Sequence, residues 1–416
     1  MLSAAEAVAR VLEGAATLAP EDVPLEQCLG RTLAVDIRAP MDVPPWANSA
    51  VDGYAVVGDA VRSATRAAPV VLDVIEHVRA GTFPTRRVDR HTAVQIMTGA
   101  PVPDGADTVV RIEETDGGAV RVSVHDGRDA GRHVRPRAQD VARDAVALRA
   151  GDAISPAGVG VLAMLGVTSV TVVRVPRVGV LATGDELVPI ERFGDALAGR
   201  RIVSASSYAL HALLRELGCE VVDLGIAGDS SEALRSALST VPGTCDVLLT
   251  TGGVSVGAHD LVRPVLEELG ASLDFWRARI RPGGPIGSGG IGDVRWLGLP
   301  GNPVSTLVTF ELFARPLLLR MMGRKRLFRA PVRVVVDDDA ATPGRLMHFL
   351  RVALTSRETG LHASLTGSQG SNLLVPMARA DALLMVPEEC DAVRAGDSLL
   401  AMPLRDSTLD IETLVA

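Results

Sequence analysis

The sequence predicts a multidomain protein in which an α/β domain is combined with β-rich segments. Its 416 residues exceed what one core of ordinary size accommodates, so we expect two to four domains. From about residue 177 to 323, apolar strands alternate with helical segments, which predicts a doubly wound, parallel sheet covered on both faces. Short strands separated by turns precede this segment, from about Pro69 to Val124, and follow it after residue 326. They predict a small β-rich domain and a C-terminal barrel or sandwich.

Composition excludes several classes of protein. An apolar fraction of 47% with 22% charged residues is typical of a globular chain, and a net charge of −8 argues against nucleic-acid binding. The longest apolar run, residues 157–173, is too short and too interrupted to span a membrane. The four cysteines form no C-x-x-C pair, which predicts neither a zinc site nor a disulfide framework. With no signal peptide in the first residues, we expect a reducing, cytoplasmic compartment.

Two helix starts carry clear capping signals. Ser3 precedes an amphipathic segment and Glu6 follows three residues later, which predicts a capping box. Pro156 follows Ser155 at the start of a second apolar segment, a position that proline favours in the first turn of a helix.

A glycine-rich turn follows the buried strand in CDVLLTTGGVSVGAHD, residues 245–260. Open α/β sheets bind ligands at the carboxyl ends of their strands, where this turn should lie. Gly252 and Gly253 would let backbone N–H groups approach an anion closely, and Ser255 adds a hydroxyl donor. The alternative is an ordinary tight turn between strand and helix.

A second turn of the same domain occurs in WLGLPGNPVSTLVTF. Pro300 and Gly301 end the strand, Asn302 is placed to cap the next helix, and Pro303 is placed at its first position. Helix N-termini present unpaired N–H groups that can hold a phosphate. Together the two turns predict an elongated ligand with more than one anionic group.

Two acids follow the first strand of this domain, in GVLATGDELV at residues 179–188. Asp185 and Glu186 would lie beside the phosphate-binding turns, and Asp229 and Asp260 could join them. Carboxylates repel phosphate unless a cation bridges them, so we expect a hard cation such as Mg²⁺ there. In the alternative interpretation, Asp185 caps a helix and Glu186 is solvated.

Arginines alternate in RARIRPGGPIGSG, where Arg277, Arg279 and Arg281 would face one side of a strand. Their planar guanidinium groups suit phosphate and other oxyanions, although a solvated strand edge is the alternative.

Three stretches of the first half are less specific. IMTGAPVPDGAD contains Thr98 and Gly99, and GRHVRPRAQDV contains Asp140, but ordinary loops explain both equally well. VPPWANSAVDGYAV, residues 43–56, places Asp52 near Trp46 in a chain with only 3% aromatic residues. A proline-stiffened turn with core aromatics would explain this last stretch.

Taken in order, these stretches resemble motifs of the molybdopterin molybdenumtransferase family, of the MoeA and gephyrin E-domain type. VPPWANSAVDGYAV is similar to the NSAMDGYA signature, with Val51 in place of the methionine. IMTGAPVPDGAD, TGDEL, TTGGVSVGAHD, PGNPVS and the late GSQGSN at residues 367–372 match further motifs. The resemblance covers essentially the whole chain, and six motifs in the correct order are highly specific.

The resemblance implies four domains. These are an elongated first domain from residues 1–41 and 142–174, an inserted β-rich domain over 42–141, an α/β domain similar to molybdopterin adenylyltransferase over 175–325, and a C-terminal β-barrel over 326–416. It also implies a homodimer whose site lies between the third and fourth domains of one subunit and the second domain of the other.

The activity implied by the resemblance is insertion of molybdate into adenylylated molybdopterin, with Mg²⁺-dependent release of AMP. The family's site positions fall on Asp52, Thr98, Asp140, Glu186, Asp229, Asp260 and Ser371. Among them Asp52, Asp140, Glu186 and Asp260 are the catalytic candidates, and Glu186 and Asp260 are the candidates for holding Mg²⁺ or for orienting water. The glycine-rich turn and PGNP would hold nucleotide and phosphates. The implied protein partners are the molybdopterin adenylyltransferase and molybdoenzyme apoproteins.

Several positions depart from the family pattern. K-P-G-K-P is replaced by Arg281-Pro-Gly-Gly284-Pro, D-S-N by Ser204-Ala205-Ser206, and G-E-D by Ala138-Gln139-Asp140. They leave open a catalytically weakened paralogue that binds molybdopterin or acts as a scaffold. A nucleotide pyrophosphatase of the CinA type is a third alternative, against which PGNP and the inserted domain argue.

Overall fold

The computed structural model describes residues 1–254 and 261–405, which fall into two compact units. The first unit comprises Met1–Ala34, Gly151–Ser155 and Ser169–Ala416, and the second comprises Val35–Ala150 and Pro156–Thr168. No helix of the described residues is both long enough and apolar enough to cross a membrane.

The described strands and helices are as follows. The strands are β1 (Pro20–Pro24), β2 (Ile37–Arg38), β3 (Asn48–Ser49), β4 (Gly53–Val56), β5 (Val70–Val78), β6 (Thr92–Ile96), β7 (Thr108–Arg111), β8 (Arg121–Val124), β9 (Val134–Arg135), β10 (Val146–Leu148), β11 (Ser169–Val173), β12 (Arg177–Thr183), β13 (Leu187–Val188), β14 (Ile202–Val203), β15 (Glu220–Ala227), β16 (Val247–Thr251), β17 (Ser272–Arg277), β18 (Ile280–Arg281), β19 (Pro285–Ile291), β20 (Val294–Leu299), β21 (Val332–Val336), β22 (Ala340–Ala341), β23 (Met347–Arg357), β24 (Gly360–Leu365), β25 (Ala382–Val386), β26 (Ala392–Val393) and β27 (Ser398–Pro403). The helices are α1 (Ala4–Leu12), α2 (Gly58–Val61), α3 (Pro156–Met164), α4 (Phe193–Leu197), α5 (Ala205–Glu216), α6 (Ser231–Ser239), α7 (Val262–Glu268), α8 (Pro303–Thr309), α9 (Arg315–Met321) and α10 (Leu374–Ala378).

The second unit is built on a sheet in the order β7-β4-β6-β5-β8. Alternating apolar residues of these strands form its core, with Tyr54 and Val110 fully buried. The strand pairs β3–β9 and β2–β10 lie outside this sheet in the same unit. Helix α3 begins at Pro156, as its position after Ser155 predicts.

The central sheet of the first unit has the order β15-β12-β16-β20-β19-β17. The strands β15, β12, β16 and β20 run parallel, and β12 and β16 are buried along nearly their whole length. The predicted doubly wound fold is confirmed, with the difference that β19 pairs antiparallel with β20 and β17 pairs antiparallel with β19. A Gly292-Asp293 turn connects β19 to β20, and a two-residue turn of this kind produces a hairpin.

The C-terminal strands close into the predicted barrel. They pair in the order β18-β23-β24-β21-β27-β25, and an additional pairing of β23 with β25 closes the ring. Its interior is apolar, with Val334, Val352 and Leu384 fully buried.

Helices α1, α5, α8 and α9 cover the side of the central sheet that shares a large apolar core with residues of the barrel. Helix α1 starts with the predicted capping box, in which Ser3 Oγ accepts from the Glu6 backbone and Glu6 accepts from the Ser3 backbone. A π-helical turn over Phe310–Ala314 joins α8 to α9. This column of helices anchors the turn at Pro300, which precedes α8.

Candidate active site

The parallel strands of the central sheet create a crevice at their carboxyl ends. After β12 the chain adds β15 on one side, and it then crosses to add β16 on the other. Ligands of open α/β sheets bind where the order of strands reverses in this way. Here that point lies between Thr183, at the end of β12, and Thr251, at the end of β16, and the Thr183 hydroxyl donates to the Thr251 carbonyl over 3.2 Å.

A cavity of about 730 Å³ opens at this point. Its lining comprises Thr183, Gly184, Glu186, Leu187, Ile202, Val203, Ser204, Ala205, Ser206, Asp229, Thr251, Gly252, Gly253, Gly301, Asn302, Pro303 and Asn372. The cavity thus combines residues of the glycine-rich turn, the PGNP turn and the TGDEL stretch with Asn372, the last residue of the GSQGSN loop. A volume of this size accommodates a ligand with the dimensions of a drug or a nucleotide.

The glycine-rich turn requires glycine for two separate reasons. Gly252 has a φ of +86°, and a Cβ there would lie 2.7 Å from the Thr183 hydroxyl and 2.8 Å from the Thr183 carbonyl oxygen. A Cβ on Gly253 would lie 2.1 Å from a methyl group of Val262. Only a backbone without side chains fits here. The Gly252 N–H donates to the Leu299 carbonyl over 3.0 Å, so of the two glycines Gly253 is the candidate donor to a ligand. Ser255 and Asp260 lie outside the described residues.

The acids of the site differ in their hydrogen bonds and in the direction of their side chains. The Asp185 backbone N–H donates to Asp229 over 3.2 Å, and the Asp229 N–H donates to Asp185 over 3.1 Å. This reciprocal pair ties the loop after β12 to the loop after β15, so Asp185 joins two loops and caps neither α4 nor α6. Glu186 bends back over the turn, since a Cβ on Gly184 would lie 2.7 Å from one of its carboxylate oxygens.

Glu186 and Asp229 both line the cavity. Among the described residues, no group of three or more His, Cys, Asp or Glu side chains is placed to hold a metal ion. Magnesium needs less, because it keeps several waters and takes one or two carboxylates together with phosphate oxygens of the substrate. The carboxylate donors present therefore fit Mg²⁺.

The PGNP turn is held from behind by hydroxyl groups. The buried Thr306 hydroxyl lies 2.7 Å from the Pro300 carbonyl and 3.1 Å from the Asn302 carbonyl, and it can donate to either. Ser206 donates to the Gly301 carbonyl over 3.4 Å. Pro303 opens α8 as predicted, whereas Asn302 occupies the cap position without a capping hydrogen bond from its side chain. The Asn302 side chain, which lines the cavity, is therefore available to a ligand.

The GSQGSN loop reaches the same helix through Ser371, whose carbonyl accepts from the Val304 N–H over 3.0 Å. Arg351 on β23 holds this loop, because its guanidinium donates to the carbonyls of Ser368 and Gly370 over 2.7 and 2.9 Å. Arg351 is only 1% exposed, and burial lowers its pKa. No motif of the sequence predicted this role of Arg351. The available signal was one arginine within the otherwise apolar strand HFLRVAL.

The arginine-rich stretch does not form one strand face. β17 ends at Arg277 in the central sheet, and β18 begins at Ile280 and pairs with β23 of the barrel. Arg279 donates to Glu388 over 2.9 Å and to the Met1 carbonyl over 3.1 Å. The predicted alternation fails because the chain changes sheets between these arginines, and neither Arg277, Arg281 nor Gly284 lines the 730 Å³ cavity as the structure describes it.

The remaining predicted residues belong to the second unit. The backbone N–H and the hydroxyl of Thr98 donate to one oxygen of Asp52 over 2.6 and 2.7 Å, and these bonds lower the pKa of Asp52. Gly99 follows with a φ of +81°. Asp140 is exposed, and its N–H donates to the Val43 carbonyl. Asp52, Thr98 and Gly99 therefore form one local cluster, while Glu186 and the glycine-rich turn belong to the first unit.

Family models match nearly the whole chain. "MoeA N-terminal region (domain I and II)" matches residues 2–166, "Probable molybdopterin binding domain" matches 179–320, and "MoeA C-terminal region (domain IV)" matches 333–404. Molybdopterin molybdenumtransferase 2 of Mycobacterium tuberculosis H37Rv is 36% identical over 385 residues, which are 91% of this chain and 94% of that protein. The chain belongs to the MoeA family.

Other MoeA relatives are similar over comparable lengths. The molybdopterin molybdenumtransferase of Bacillus subtilis strain 168 is 32% identical over 405 residues, covering 96% of this chain and 94% of its own. The crystal structure of the molybdopterin biosynthesis moeA protein from Pyrococcus horikoshii OT3 has a TM-score of 0.85 and 28% identity, covering 97% of this chain and all of that one. The MoeA fold is therefore shared along essentially the whole chain.

Proposed function

We propose that this chain is a molybdopterin molybdenumtransferase, which inserts molybdate into adenylylated molybdopterin and releases AMP. The observation that carries the proposal is the 730 Å³ cavity, where a glycine-rich turn, a helix start and a carboxylate meet at the switch point of the sheet. In the reaction, water attacks a phosphorus of the phosphoanhydride and the bond to AMP breaks. The dithiolene sulfurs of the pterin bind molybdenum and displace two oxygens of molybdate, which leave as water. Such a reaction depends mainly on positioning and charge stabilisation.

The phosphates would be held by backbone groups. Gly253 leaves room for close approach of the ligand to its N–H group, and the start of α8 after Asn302 places the positive end of the helix dipole at the cavity. The Asn302 side chain adds a polar group within the same cavity. These donors hold anionic oxygens without a lysine, which agrees with the replacement of the second lysine of the family motif by Gly284.

Magnesium would be held by Glu186 and Asp260, with Asp229 on the wall of the same cavity. When bound, Mg²⁺ neutralises phosphate charge and favours departure of the AMP phosphate. Glu186 is the fourth residue of TGDEL, and it is exposed at the turn that contains Gly184. The Asp185–Asp229 pair fixes the two loops that carry these acids.

The proposal is tested by incubating the purified chain with adenylylated molybdopterin, molybdate and Mg²⁺ and measuring AMP by chromatography. We expect AMP to form only when all three are present, together with pterin-bound molybdenum. If the chain neither released AMP nor bound the adenylylated substrate, that result would contradict any role of this cavity in molybdopterin binding or catalysis.

Binding without AMP release would favour the second candidate, a molybdopterin-binding or scaffolding paralogue. The observation that favours it is that Ser204 and Ser206, which stand where the family pattern has an acid and an amide, use their hydroxyl groups in hydrogen bonds within the chain. Ser204 lies 2.8 Å from the Ser207 hydroxyl, and Ser206 donates to the Gly301 carbonyl, so both hydroxyls are already engaged. Restoring the family residues with Ser204→Asp and Ser206→Asn should then raise AMP release.

We further propose that the active species is a homodimer, in which Asp52 of one subunit acts with the partner subunit's Glu186. Mixing two inactive variants, Asp52→Ala and Glu186→Gln, tests this directly. Random pairing makes half of the dimers mixed, and each mixed dimer contains one intact site, so activity should return to about a quarter of the wild-type rate. An unchanged, inactive mixture would show that both residues are needed on the same chain.

A further inference from the structure

A second large cavity lies within the first unit, apart from the candidate active site. Its volume is about 790 Å³, and its walls come from the turns at residues 29–32 and 151–153 together with the helical column and loop over residues 310–329. None of its lining residues lines the 730 Å³ cavity in the described chain.

Positive charge dominates this cavity. Six cationic residues line it, namely Arg31, Arg315, Arg324, Lys325, Arg326 and Arg329, against three acidic ones, Asp152, Glu216 and Glu311. The chain as a whole carries a net charge of −8. A local excess of cations in an acidic protein concentrates anions at that place.

The acids present satisfy only part of this charge. Glu311, which is 7% exposed, accepts from Arg329 over 3.2 Å and lies 3.8 Å from Arg315. Lys325 pairs with Asp152 over 3.2 Å at the exposed rim. Arg324 pairs with none of the three acids in the described contacts, and its guanidinium donates instead to the Gly30 carbonyl.

Two arginines of this cavity keep buried N–H groups without partners. The Nε atoms of Arg31 and Arg324 are inaccessible to solvent and make no hydrogen bond within the described chain. Burial, together with the charge of Arg315, lowers the pKa of Arg324. Burial of charged groups is costly when their donors are unsatisfied, and an anion in the cavity would offset part of that cost through its charge, without contacting the enclosed Nε atoms.

We propose that this cavity is a second anion site, which binds a phosphate group, either free or carried by a small molecule. Arginine forks suit the oxygens of phosphate. Once Glu21, the ion-pair partner of Arg31, is counted with the three acids of the lining, two positive charges remain in excess, which suits a multiply charged anion. The volume leaves room for an organic group beside the phosphate. The site does not depend on the proposed transferase activity, since it shares no lining residue with that cavity in the described chain.

Isothermal titration calorimetry of the full chain with inorganic phosphate and with ribose 5-phosphate tests the proposal. The double variant Lys325→Gln, Arg326→Gln removes two exposed cations from the rim, and Arg324→Met removes a half-buried one. The control Arg62→Gln, Arg66→Gln removes two exposed charges from the second unit. We expect each cavity variant to weaken the cavity-dependent binding by at least about tenfold, and the control to bind as the wild type does.

The two probes distinguish the sources of the phosphate. Tighter binding of ribose 5-phosphate than of inorganic phosphate would assign the site to an organic phosphate, and the reverse order would assign it to the free anion. The double variant decides the matter if Arg324→Met fails to fold. Equal affinities in the cavity variants, the control and the wild type, or no binding to the wild type at millimolar concentrations, would overturn the proposal.

Discussion

Arg351 is the residue that holds the GSQGSN loop in place. Arg351→Met would leave the carbonyls of Ser368 and Gly370 without their donor, at a cost of about 1–3 kcal/mol for each buried group. We expect a lower free energy of unfolding in urea and a loss of AMP release, because Ser371 of the same loop holds the start of α8.

Arg357→Met is the matched control at the exposed end of the same strand. Its ion pair with Asp337 is half-exposed, so its removal should change stability by about 1 kcal/mol or less and leave AMP release intact. If Arg351→Met behaved like Arg357→Met, the loop would not depend on Arg351.

Individual residues were predictable where local rules decide them, and were missed where the tertiary structure decides them. Ser3 and Pro303 follow capping and helix-start preferences, and the structure places both as predicted. Arg351 and the Asp185–Asp229 pair depend on segments that meet only after folding. An arginine inside an apolar run can equally indicate that the run is not a buried strand. No local pattern therefore identifies an arginine such as Arg351 as buried.

The glycine-rich turn is the element that most restricts the site. Gly252→Ala would introduce a Cβ 2.7 Å from the Thr183 hydroxyl and would also strain a φ of +86°. We expect a loss of stability above the roughly 1–2 kcal/mol that a left-handed alanine costs, together with loss of AMP release.

Gly243→Ala separates the steric clash of a new Cβ from the backbone strain of a positive φ. Gly243 has a φ of +78°, but a Cβ there would meet nothing within 4 Å. It should cost only the conformational term and keep AMP release. Urea unfolding and AMP assays of the two variants would contradict the account if they behaved alike.

Elements with a strong period were predictable from sequence, and the pairing of the arginine-rich stretch was not. β12 and β16 are buried apolar strands followed by turns, and their edge was the predicted place of the site. The change of sheet between Arg277 and Ile280 has no local signal, because both sides of it alternate as a single strand would. Register and sheet membership depend on partners distant in the chain.

The first unit as a whole should lose stability in acid, partly through Asp246. Burial raises the pKa of this carboxyl, but hydrogen bonds from Arg174 and the Arg177 backbone outweigh burial and lower it below the usual value. Its contribution is therefore complete above about pH 4 and is lost as the pH falls through the lowered pKa. Asp246→Asn should cost about 1.5–3 kcal/mol at pH 7, and progressively less below pH 4.

Urea unfolding of wild type and Asp246→Asn at pH 7 and pH 3 measures this difference. Asp59→Asn, which removes an exposed ion pair with Arg62, serves as the control and should have little effect at either pH. A difference between wild type and Asp246→Asn that grew in acid would have the wrong sign for a lowered pKa.

The order of domains along the whole chain was more predictable than their boundaries. Composition and period indicated an α/β segment between β-rich segments, and the family models match in that order. The exact limits at residues 41, 141, 174 and 325 stay a prediction. Residues 151–155 and 169–173 belong to the first unit although α3 between them belongs to the second, and no local composition marks such an exchange.

The central claim is that AMP release occurs at the edge of the sheet beside Glu186, and rates of Glu186→Gln and Glu191→Gln test it most directly. Both variants remove one negative charge from an exposed glutamate, but only Glu186 lines the cavity in the described chain. We predict that Glu186→Gln lowers the rate of AMP release by about 100-fold or more, while Glu191→Gln stays near the wild-type rate. Equal rates for Glu186→Gln and the wild type would contradict the claim.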